Sequence, residues 1–165
     1  MPLARRPLLL VLALAALIAV AGCGSDSEEP ASKATPEAAA TPERTKPEIT
    51  VPKGKPPKKL VIKDIEEGAG KPAKAGDQVT VQYVGISYLN GRQFDASWDR
   101  GEPFQFQLGS GSVIPGWDQG VEGMKVGGRR QLVIPPDLAY GPQGSPPTIG
   151  PNETLVFVID LLSVG

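Results

Sequence analysis

The sequence predicts an α+β domain in which an antiparallel sheet curls over one short helix. Three observations favour this class. Apolar residues alternate with a period of two through most of the chain from Leu60 onward, a short stretch after Pro115 has helical spacing instead, and turn-forming residues separate the alternating runs. A helix of about two turns is stable only when a sheet buries its apolar side, and sequential strands joined by turns pair antiparallel.

The first 23 residues are predicted to be a targeting segment outside this fold. Arg5 and Arg6 precede the apolar run Leu8–Ala21, which is shorter than the roughly 20 residues of a membrane-spanning helix. The run ends in Val20-Ala21-Gly22-Cys23, which resembles the bacterial lipobox. Cys23 is therefore the predicted lipidation site, and the protein is expected outside the cytoplasmic membrane, anchored by lipid. An ordinary secretory signal with a chance cysteine is the alternative, and the two arginines leave twin-arginine export open.

Residues 24–59 are predicted to be a disordered linker. Proline recurs among Ala, Thr, Ser, Glu and Lys, and almost nothing except Ile49 and Val51 is available to bury. The linker is acidic at its beginning and basic at its end. Such a split is compatible with contact with anionic lipid headgroups, although a solvated tether is the plainer interpretation. The basic residues are Lys53, Lys55, Lys58 and Lys59.

The folded domain is predicted over 60–165, and its first half consists of strands. Leu60–Ile65 and Gln78–Tyr88 alternate, and Asn90-Gly91 predicts a hairpin with a type I′ turn, which requires positive φ at both central residues. The returning strand carries Phe94. Phe104, Phe106 and Leu108 form the next alternating run.

The second half begins with the helix. Pro115 suits a first-turn position, Trp117, Val121 and Met124 recur at helical spacing, and Gly127-Gly128 is expected to end the run. Two further strands are predicted after it. They are Arg130–Ile134, which Pro135-Pro136 terminates, and a C-terminal strand whose Leu155, Phe157, Ile159 and Leu161 share one face.

The composition excludes several kinds of chemistry. The formal net charge is −1, so nucleic-acid binding has no electrostatic support. The chain has no histidine, and its one cysteine is Cys23, which rules out His-activated nucleophiles, His/Cys zinc sites and disulfides. No metal or cofactor is expected, and any chemistry must use carboxylates, hydroxyls, aromatic rings and backbone groups.

Aromatic residues from six different elements are candidates to meet in one place. Trp117, at the start of the helix, is interpreted either as the floor of an apolar pocket or as a core tryptophan. Asp95 directly follows Phe94, and Arg100 lies five residues further on. This pair is either a rim salt bridge worth little or the holder of a polar group at a pocket edge. The six aromatic residues are Tyr83, Phe94, Phe104, Trp117, Tyr140 and Phe157.

Seven short motifs in order make the stretch from Leu60 to Val164 resemble the FKBP family of peptidyl-prolyl cis-trans isomerases. Each motif is weak by itself, and their common order and spacing are specific. The motifs are Val81-Gln82-Tyr83-Val84-Gly85, Phe94-Asp95-Ala96-Ser97, Pro103-Phe104, Leu108-Gly109, Val113-Ile114-Pro115-Gly116-Trp117, Ala139-Tyr140-Gly141 and Thr154-Leu155-Val156-Phe157.

The resemblance implies a half-barrel of five or six antiparallel strands around the helix, and a catalytic pocket on its concave side. Trp117 would be the floor, and the Ile114 N–H and the Tyr140 hydroxyl would bind substrate carbonyls. Asp95 would be the polar group of the wall, oriented by Arg100 and Tyr83. The walls would consist of Tyr83, Phe94, Phe104, Val113, Ile114, Ile149 and Phe157.

The same resemblance implies an isomerase that acts on proline-containing unfolded or exported polypeptides. Macrolides of the rapamycin type are candidate ligands, and a monomer is expected. Two features depart from the family pattern: Ile149 is followed by Gly150 before Pro151, and Ser145 and Thr148 replace bulkier residues. A membrane-tethered chaperone or proline-peptide binding module with little turnover is the alternative function, and a purely structural lipoprotein domain is a third.

Overall fold

A computed structural model of the chain describes residues 44–165. The predicted signal segment, Cys23 and the predicted linker up to residue 43 lie outside the described residues. The described part consists of six strands, two short helices and two 3₁₀ turns. These are Val61–Glu66 (β1), Gln78–Ser87 (β2), Gln93–Ala96 (β3), Ser97–Arg100 (α1), Phe104–Gln107 (β4), Pro115–Val121 (α2), Arg129–Ile134 (β5) and Leu155–Val164 (β6), with 3₁₀ turns at Pro136–Leu138 and Gly141–Gln143.

The six strands form one antiparallel sheet, which confirms the predicted α+β class. Its order is β1-β5-β6-β2-β3, and β4 also pairs with β2. The long strand β2 is the hub of the sheet. Along one edge it pairs with β6 for nearly its whole length, and along the other it pairs first with β4 and then with β3. The sheet curves without closing into a barrel, and its concave side faces α2.

The concave side carries the main core. Alternate residues of β6, such as Leu155 and Leu161, pack there with Val79 and Val81 of β2 against Trp117 of α2. All of these side chains are buried. The predicted alternation of the C-terminal strand therefore agrees with the core it forms.

The helix α2 lies unusually close to the sheet because two of its residues lack a side chain. A Cβ on Gly116 would lie 2.4 Å from the Ile134 side chain, and one on Gly120 would lie 2.5 Å from that of Leu132. Pro115 occupies the first turn, as predicted. The close approach of α2 to the sheet sets the depth at which Trp117, which follows Gly116, enters the core.

The helix is shorter than the spacing predicts, so the expected stop at Gly127-Gly128 is wrong. It ends at Val121, and Gly123, with φ of 75°, turns the chain away. The Arg130 guanidinium donates to the carbonyl of Gly120 at 2.9 Å, which satisfies a group at the end of the helix. Met124 is buried in the main core, but beyond the helix.

The β2–β3 hairpin is also different from its prediction, because Asn90 does not have the positive φ of a type I′ turn. The two arms close at Ser87, whose N–H donates to the carbonyl of Arg92 at 2.9 Å. The Asn90 side chain accepts from the Arg92 N–H at 2.9 Å, and Gly91 takes positive φ. A longer loop closed by a side chain therefore replaces the two-residue turn.

The convex side of the sheet has its own apolar cluster, which the segment 44–59 covers. Val84, Val133 and Val156 are buried there, and Ile49 and Val51 pack against them. The segment has no helix or strand, yet it crosses the sheet in contact with it. This part of the predicted linker is therefore packed rather than free, because its two aliphatic side chains find an apolar surface.

An ion-pair cluster at the N-terminal end of this segment adds to the packing. Asp160 of β6 is 1% exposed. Arg129 donates to its two oxygens at 2.6 and 2.7 Å, and Arg44 donates to it at 3.3 Å. The Arg129 guanidinium also donates to the carbonyl of Thr45 at 2.9 Å. Among residues 44–165, no helix is long and apolar enough to cross a membrane.

Candidate active site

A cavity of about 380 Å³ lies on the concave side of the sheet, above the start of α2. Its volume falls in the usual range of small-molecule sites. Tyr140 is 40% exposed and the side chain of Asp95 is 42% exposed, so the cavity opens to solvent at their rim. The residues that line it are Tyr83, Phe94, Asp95, Phe104, Gly111, Ser112, Val113, Ile114, Trp117, Tyr140 and Phe157.

Four aromatic rings pack around Trp117 and fix its position. The ring of Tyr83 lies 5.0 Å away and that of Phe157 lies 5.3 Å away, both nearly perpendicular to the indole. Phe104 and Phe106 follow at 6.1 and 5.6 Å. Packing of rigid rings, mostly edge to face, holds the indole in place. Trp117 is thus both a core residue, 4% exposed, and part of the cavity lining.

Gly85 of β2 allows two wall residues to meet. The rings of Phe94 and Phe157 pack perpendicular at 5.4 Å. A Cβ on Gly85 would lie 2.7 Å from both rings. Any side chain at this position would therefore displace part of the wall.

Asp95, Arg100 and Tyr83 form a hydrogen-bonded cluster at the cavity edge. The Tyr83 hydroxyl donates to Oδ2 of Asp95, and the Arg100 guanidinium donates to Oδ1 of Asp95 and, at 2.9 Å, to the Tyr83 oxygen. Both oxygens of Asp95 are thus engaged. The sequence left this pair open between a rim salt bridge and a pocket group, and the structure places Asp95 in the cavity lining.

The one-turn helix α1 brings Arg100 to this cluster. The Ser97 hydroxyl accepts from the Tyr83 N–H at 2.8 Å, which ties the helix to β2. The chain leaves at Gly101, with φ of 72°. Arg100 does not itself line the cavity, and it acts on the site through its bonds to Asp95 and Tyr83.

The two tyrosine hydroxyls of the cavity remain protonated at neutral pH. Burial raises the pKa of Tyr83 to about 12, and its hydrogen bond to Asp95 acts in the same direction. Burial also raises the pKa of Tyr140, with a smaller contribution from the negative charge of Asp95. Both hydroxyls therefore remain hydrogen-bond donors over a wide pH range, Tyr83 to Asp95 and Tyr140 to a group that enters the cavity.

The hydroxyl of Tyr140 and the backbone N–H of Ile114 are two donors on the cavity wall, and neither has a hydrogen-bond partner within residues 44–165. The buried indole N–H of Trp117 also lacks a partner there. Ile114 precedes the first turn of α2 with φ of −61° and ψ of 145°, so its N–H lies outside the helix. A polar group entering the cavity would find these two donors unoccupied.

The loop before Ile114 supplies two lining residues that sequence reasoning missed, Gly111 and Ser112. Asp118 of α2 holds this loop, since its carboxylate accepts from the N–H groups of Gly109 at 2.8 Å and Gly111 at 3.1 Å. The signal for these residues was their position directly before Val113. Polar and small, they carried no aromatic or apolar pattern that would have selected them.

Ile149, predicted as a wall residue, is buried in the main core and does not line the cavity. The rim loop that carries it is braced at several points. The Arg92 guanidinium donates to the carbonyl of Thr148 at 2.7 Å, and the Gly150 N–H donates to the Glu153 carboxylate at 2.6 Å. The loop is therefore tied to the β2–β3 hairpin on one side and to itself on the other.

Taken together, fold and site define a protein that binds a ligand through aromatic surface and hydrogen bonds. A family model described as FKBP-type peptidyl-prolyl cis-trans isomerase matches residues 69–162. The chain belongs to this family, and it is a peptidyl-prolyl cis-trans isomerase of the FKBP type.

Similar proteins agree with this assignment. The chain is 60% identical over 120 residues to an FK506-binding protein of Streptomyces anulatus, covering 72% of this chain and 97% of that protein. It is 52% identical over 118 residues to a probable FK506-binding protein of Corynebacterium glutamicum, covering 72% and 98%. Both matches cover more residues of this chain than the predicted domain 60–165 contains, so each includes part of the segment before Leu60.

Solved structures show the same fold. The crystal structure of AtFKBP13 superposes with a TM-score of 0.61 at 38% identity, covering 64% of this chain and 93% of that one. The crystal structure of FkpA from Escherichia coli superposes with a TM-score of 0.59 at 48% identity, covering 64% and 47%.

Proposed function

We propose that this isomerase acts on X–Pro bonds of exported polypeptides outside the cytoplasmic membrane, where a lipid on Cys23 holds it. The cavity above Trp117, with its two unoccupied donors, is the proposed catalytic site. The proposal rests on this combination of an apolar floor, Trp117, with the free donors of Ile114 and Tyr140. The predicted signal segment and lipobox support the location.

The chemistry requires no bond to break. Rotation about the C–N bond of an amide meets a barrier of roughly 18–20 kcal/mol, because the bond has partial double-bond character. The planar amide is the more charge-separated form, so water favours it over the twisted one. An aromatic cavity that excludes water weakens that preference, and an enzyme need only favour the twisted state.

The two free donors hold the substrate while the bond turns. In the proposal, the Ile114 N–H and the Tyr140 hydroxyl bind carbonyls next to the proline, whose ring rests on Trp117. Such positioning removes the entropy cost of reaching the reactive geometry. The rings of Phe94, Phe104 and Phe157, together with Val113, enclose the proline, and Ile149 supports this wall from the core.

Asp95 places a negative charge on the wall. The carbonyl oxygen of a planar amide carries more negative charge than that of a twisted one, so a nearby carboxylate disfavours the planar form. Arg100 and Tyr83 fix the direction of this carboxylate through the hydrogen bonds described above. Because the names of similar proteins record binding of FK506, macrolides of the rapamycin type are the proposed inhibitors.

The assigned roles are tested by removing one donor. Residues 24–165 should accelerate refolding limited by proline isomerisation, and Tyr140→Phe should lower kcat/KM by about threefold to tenfold, the usual effect of one neutral hydrogen bond. Tyr88→Phe is the matched control, because the Tyr88 hydroxyl lies on the convex side, 3.4 Å from carbonyls of the 44–59 segment. Equal activity of both variants would remove Tyr140 from the mechanism.

The location is tested separately with the full chain. Cys23→Ser should release the protein from the membrane fraction of the expressing bacterium while leaving its isomerase activity intact. When the native chain is expressed in a bacterium that has no outer membrane, protease added to intact cells should digest it. A chain that stays in the cytoplasm would contradict the proposed location and leave the isomerase assignment standing.

A further inference from the structure

The segment 44–59 presents a surface that the isomerase site does not use. We propose that this lysine surface docks the domain onto a membrane rich in anionic lipid. This inference goes beyond the catalytic cavity, and it rests on the proposed location at the membrane. The lysine surface consists of Lys53, Lys55, Lys58, Lys59 and Lys63.

The packing of the segment fixes where these lysines lie. Val51 packs on the convex cluster, and the Tyr88 hydroxyl lies 3.4 Å from the carbonyls of both Gly54 and Lys55. Lys63 of β1 lines a small cavity of about 240 Å³ together with Pro52, Pro57 and Tyr88. The sequence presents the lysines of 53–59 as part of a tether, whereas the structure packs the neighbouring Pro52 and Pro57 beside Lys63 and Tyr88.

None of the five ammonium groups pairs with a carboxylate within residues 44–165. The neighbouring acids are already engaged. Asp64 is paired with Arg130 and Glu66 with Arg44. Glu153, which lines the groove next to the lysines, accepts the N–H of Gly150. The five ammonium groups of the lysine surface are therefore outside the salt bridges of residues 44–165, and the Glu153 carboxylate lies at the border of this surface, in a chain whose formal net charge is −1.

An exposed apolar residue lies next to this charge. Leu89, at the tip of the β2–β3 hairpin, is 85% exposed. It lines a groove of about 620 Å³ together with Val51, Pro56 and Pro151. Lysines beside a protruding leucine match the chemistry of a lipid interface, where the ammonium groups meet phosphates and the apolar side chain enters the acyl boundary.

A membrane fits this surface better than another anionic partner. Only the stretch 24–43 separates the predicted lipid-bearing Cys23 from Arg44, so the lysine surface is held close to the bilayer. An anchored domain meets headgroups at high effective concentration, and each lysine near an anionic surface strengthens binding about fivefold. Docking there would fix the orientation of the domain relative to the membrane.

The test measures binding of unlipidated residues 24–165 to vesicles. We expect binding to vesicles of phosphatidylglycerol and phosphatidylcholine, weakening steeply as salt is raised, and little binding to phosphatidylcholine alone. The triple variant K53Q/K55Q/K58Q should bind on the order of a hundredfold more weakly. Leu89→Ser should weaken binding by a smaller factor that does not depend on salt.

The matched control removes the same charge elsewhere. Lys71, Lys74 and Lys125 are exposed near the other end of β1, so K71Q/K74Q/K125Q should change vesicle binding less than threefold. Equal losses in the two triple variants, or equal binding to neutral vesicles, would overturn the proposal. Tighter binding to poly-glutamate than to the vesicles would assign the surface to an acidic polypeptide instead.

Isomerase activity separates this inference from the proposed function. Both triple variants should retain native kcat/KM on a prolyl peptide, because none of the changed residues lines the catalytic cavity. Loss of vesicle binding with full activity supports the docking surface. Full activity without vesicle binding in the native chain refutes docking and leaves the isomerase intact.

Discussion

Two aspartate–arginine clusters lie on opposite faces of the same sheet and have opposite surroundings. Asp160 on the convex face is 1% exposed, between Arg129 and Arg44. Asp95 on the concave side has a side chain that is 42% exposed, and a tyrosine hydroxyl takes the place of the second arginine. Each cluster contains an aspartate bound by an arginine, but one carboxylate is enclosed while the other borders a cavity.

Burial, rather than pairing, separates a structural ion pair from a site group. A buried charge is costly to leave unpaired, so removing one partner of the Asp160 cluster should lower the free energy of unfolding strongly. An exposed pair contributes little to stability, so the Asp95 cluster is free to serve another purpose. In the proposed mechanism, that purpose is to hold the Asp95 carboxylate in a fixed direction at the edge of the cavity.

The largest effect is expected from breaking the buried cluster. Asp160→Asn leaves Arg129 without its counter-charge and leaves Arg44 with Glu66 alone, and it should lower the free energy of unfolding by about 3–5 kcal/mol. Urea denaturation measures this loss. Native kcat/KM per folded molecule is expected at low temperature, because Asp160 is remote from the cavity lining. An unchanged urea midpoint would show that the two clusters do not differ in stability.

A smaller loss of stability is expected when the N-terminal segment is released from the same cluster. Arg44→Met removes a bond to Asp160 and the salt bridge to Glu66 at 3.1 Å, and it should cost about 1–3 kcal/mol. Lys74→Met is a control, since Lys74 is an exposed residue outside the segment whose ammonium group makes no salt bridge within residues 44–165. If Arg44→Met left the urea midpoint at the native value, the 44–59 segment would not be part of the folded unit.

Asp95→Leu should lower the activity strongly and the stability little, the reverse of Asp160→Asn. We expect kcat/KM on a prolyl peptide to fall at least tenfold, which corresponds to about 1.4 kcal/mol of transition-state stabilisation. The free energy of unfolding should change by less than about 1 kcal/mol. Glu102→Leu, at an exposed carboxylate that does not line the cavity, controls for the loss of surface charge. Equal kinetics of the two variants would make Asp95 a rim residue.

The smallest effect is expected from pH and concerns Tyr83. Its pKa is about 12 in the fold against 10.0 for the free side chain, so folding favours the protonated hydroxyl. This contribution is fully present below pH 10 and is lost as pH rises from 10 towards 12. The urea midpoint should therefore fall more between pH 9 and pH 11 in the native protein than in Tyr83→Phe. An equal fall of the urea midpoint in the two proteins would mean that folding does not raise the pKa of Tyr83.

The fold was largely predictable because its information is local. Alternating apolar residues in β2 and β6 predicted both long strands, and Pro115 predicted the beginning of α2. The end of that helix was missed because Arg130, from a later strand, binds the carbonyl of Gly120. The hairpin turn was missed because Ser87 closes the loop earlier than the Asn-Gly pair indicates.

The site was predictable where family motifs marked it and unpredictable where long-range packing decided it. Three of the four rings around Trp117 were among the aromatic candidates, whereas Phe106 was predicted only as a strand residue and Ser112 had no pattern to distinguish it. Asp160 stands between Ile159 and Leu161 in sequence with no pattern to mark it, and only the packing of Arg129 and of Arg44, 116 residues away in sequence, encloses it. A proline-rich composition likewise concealed the packing of 44–59.

The central claim is that X–Pro bonds turn in the cavity above Trp117. The most direct test titrates a rapamycin-type macrolide into Trp98→Phe, which leaves Trp117 as the one tryptophan. Isomerase activity and indole fluorescence should change in parallel and reach their end points at the same macrolide concentration. Activity that persists after the fluorescence change is complete, or the absence of change in both signals, would contradict the assignment of catalysis to this cavity.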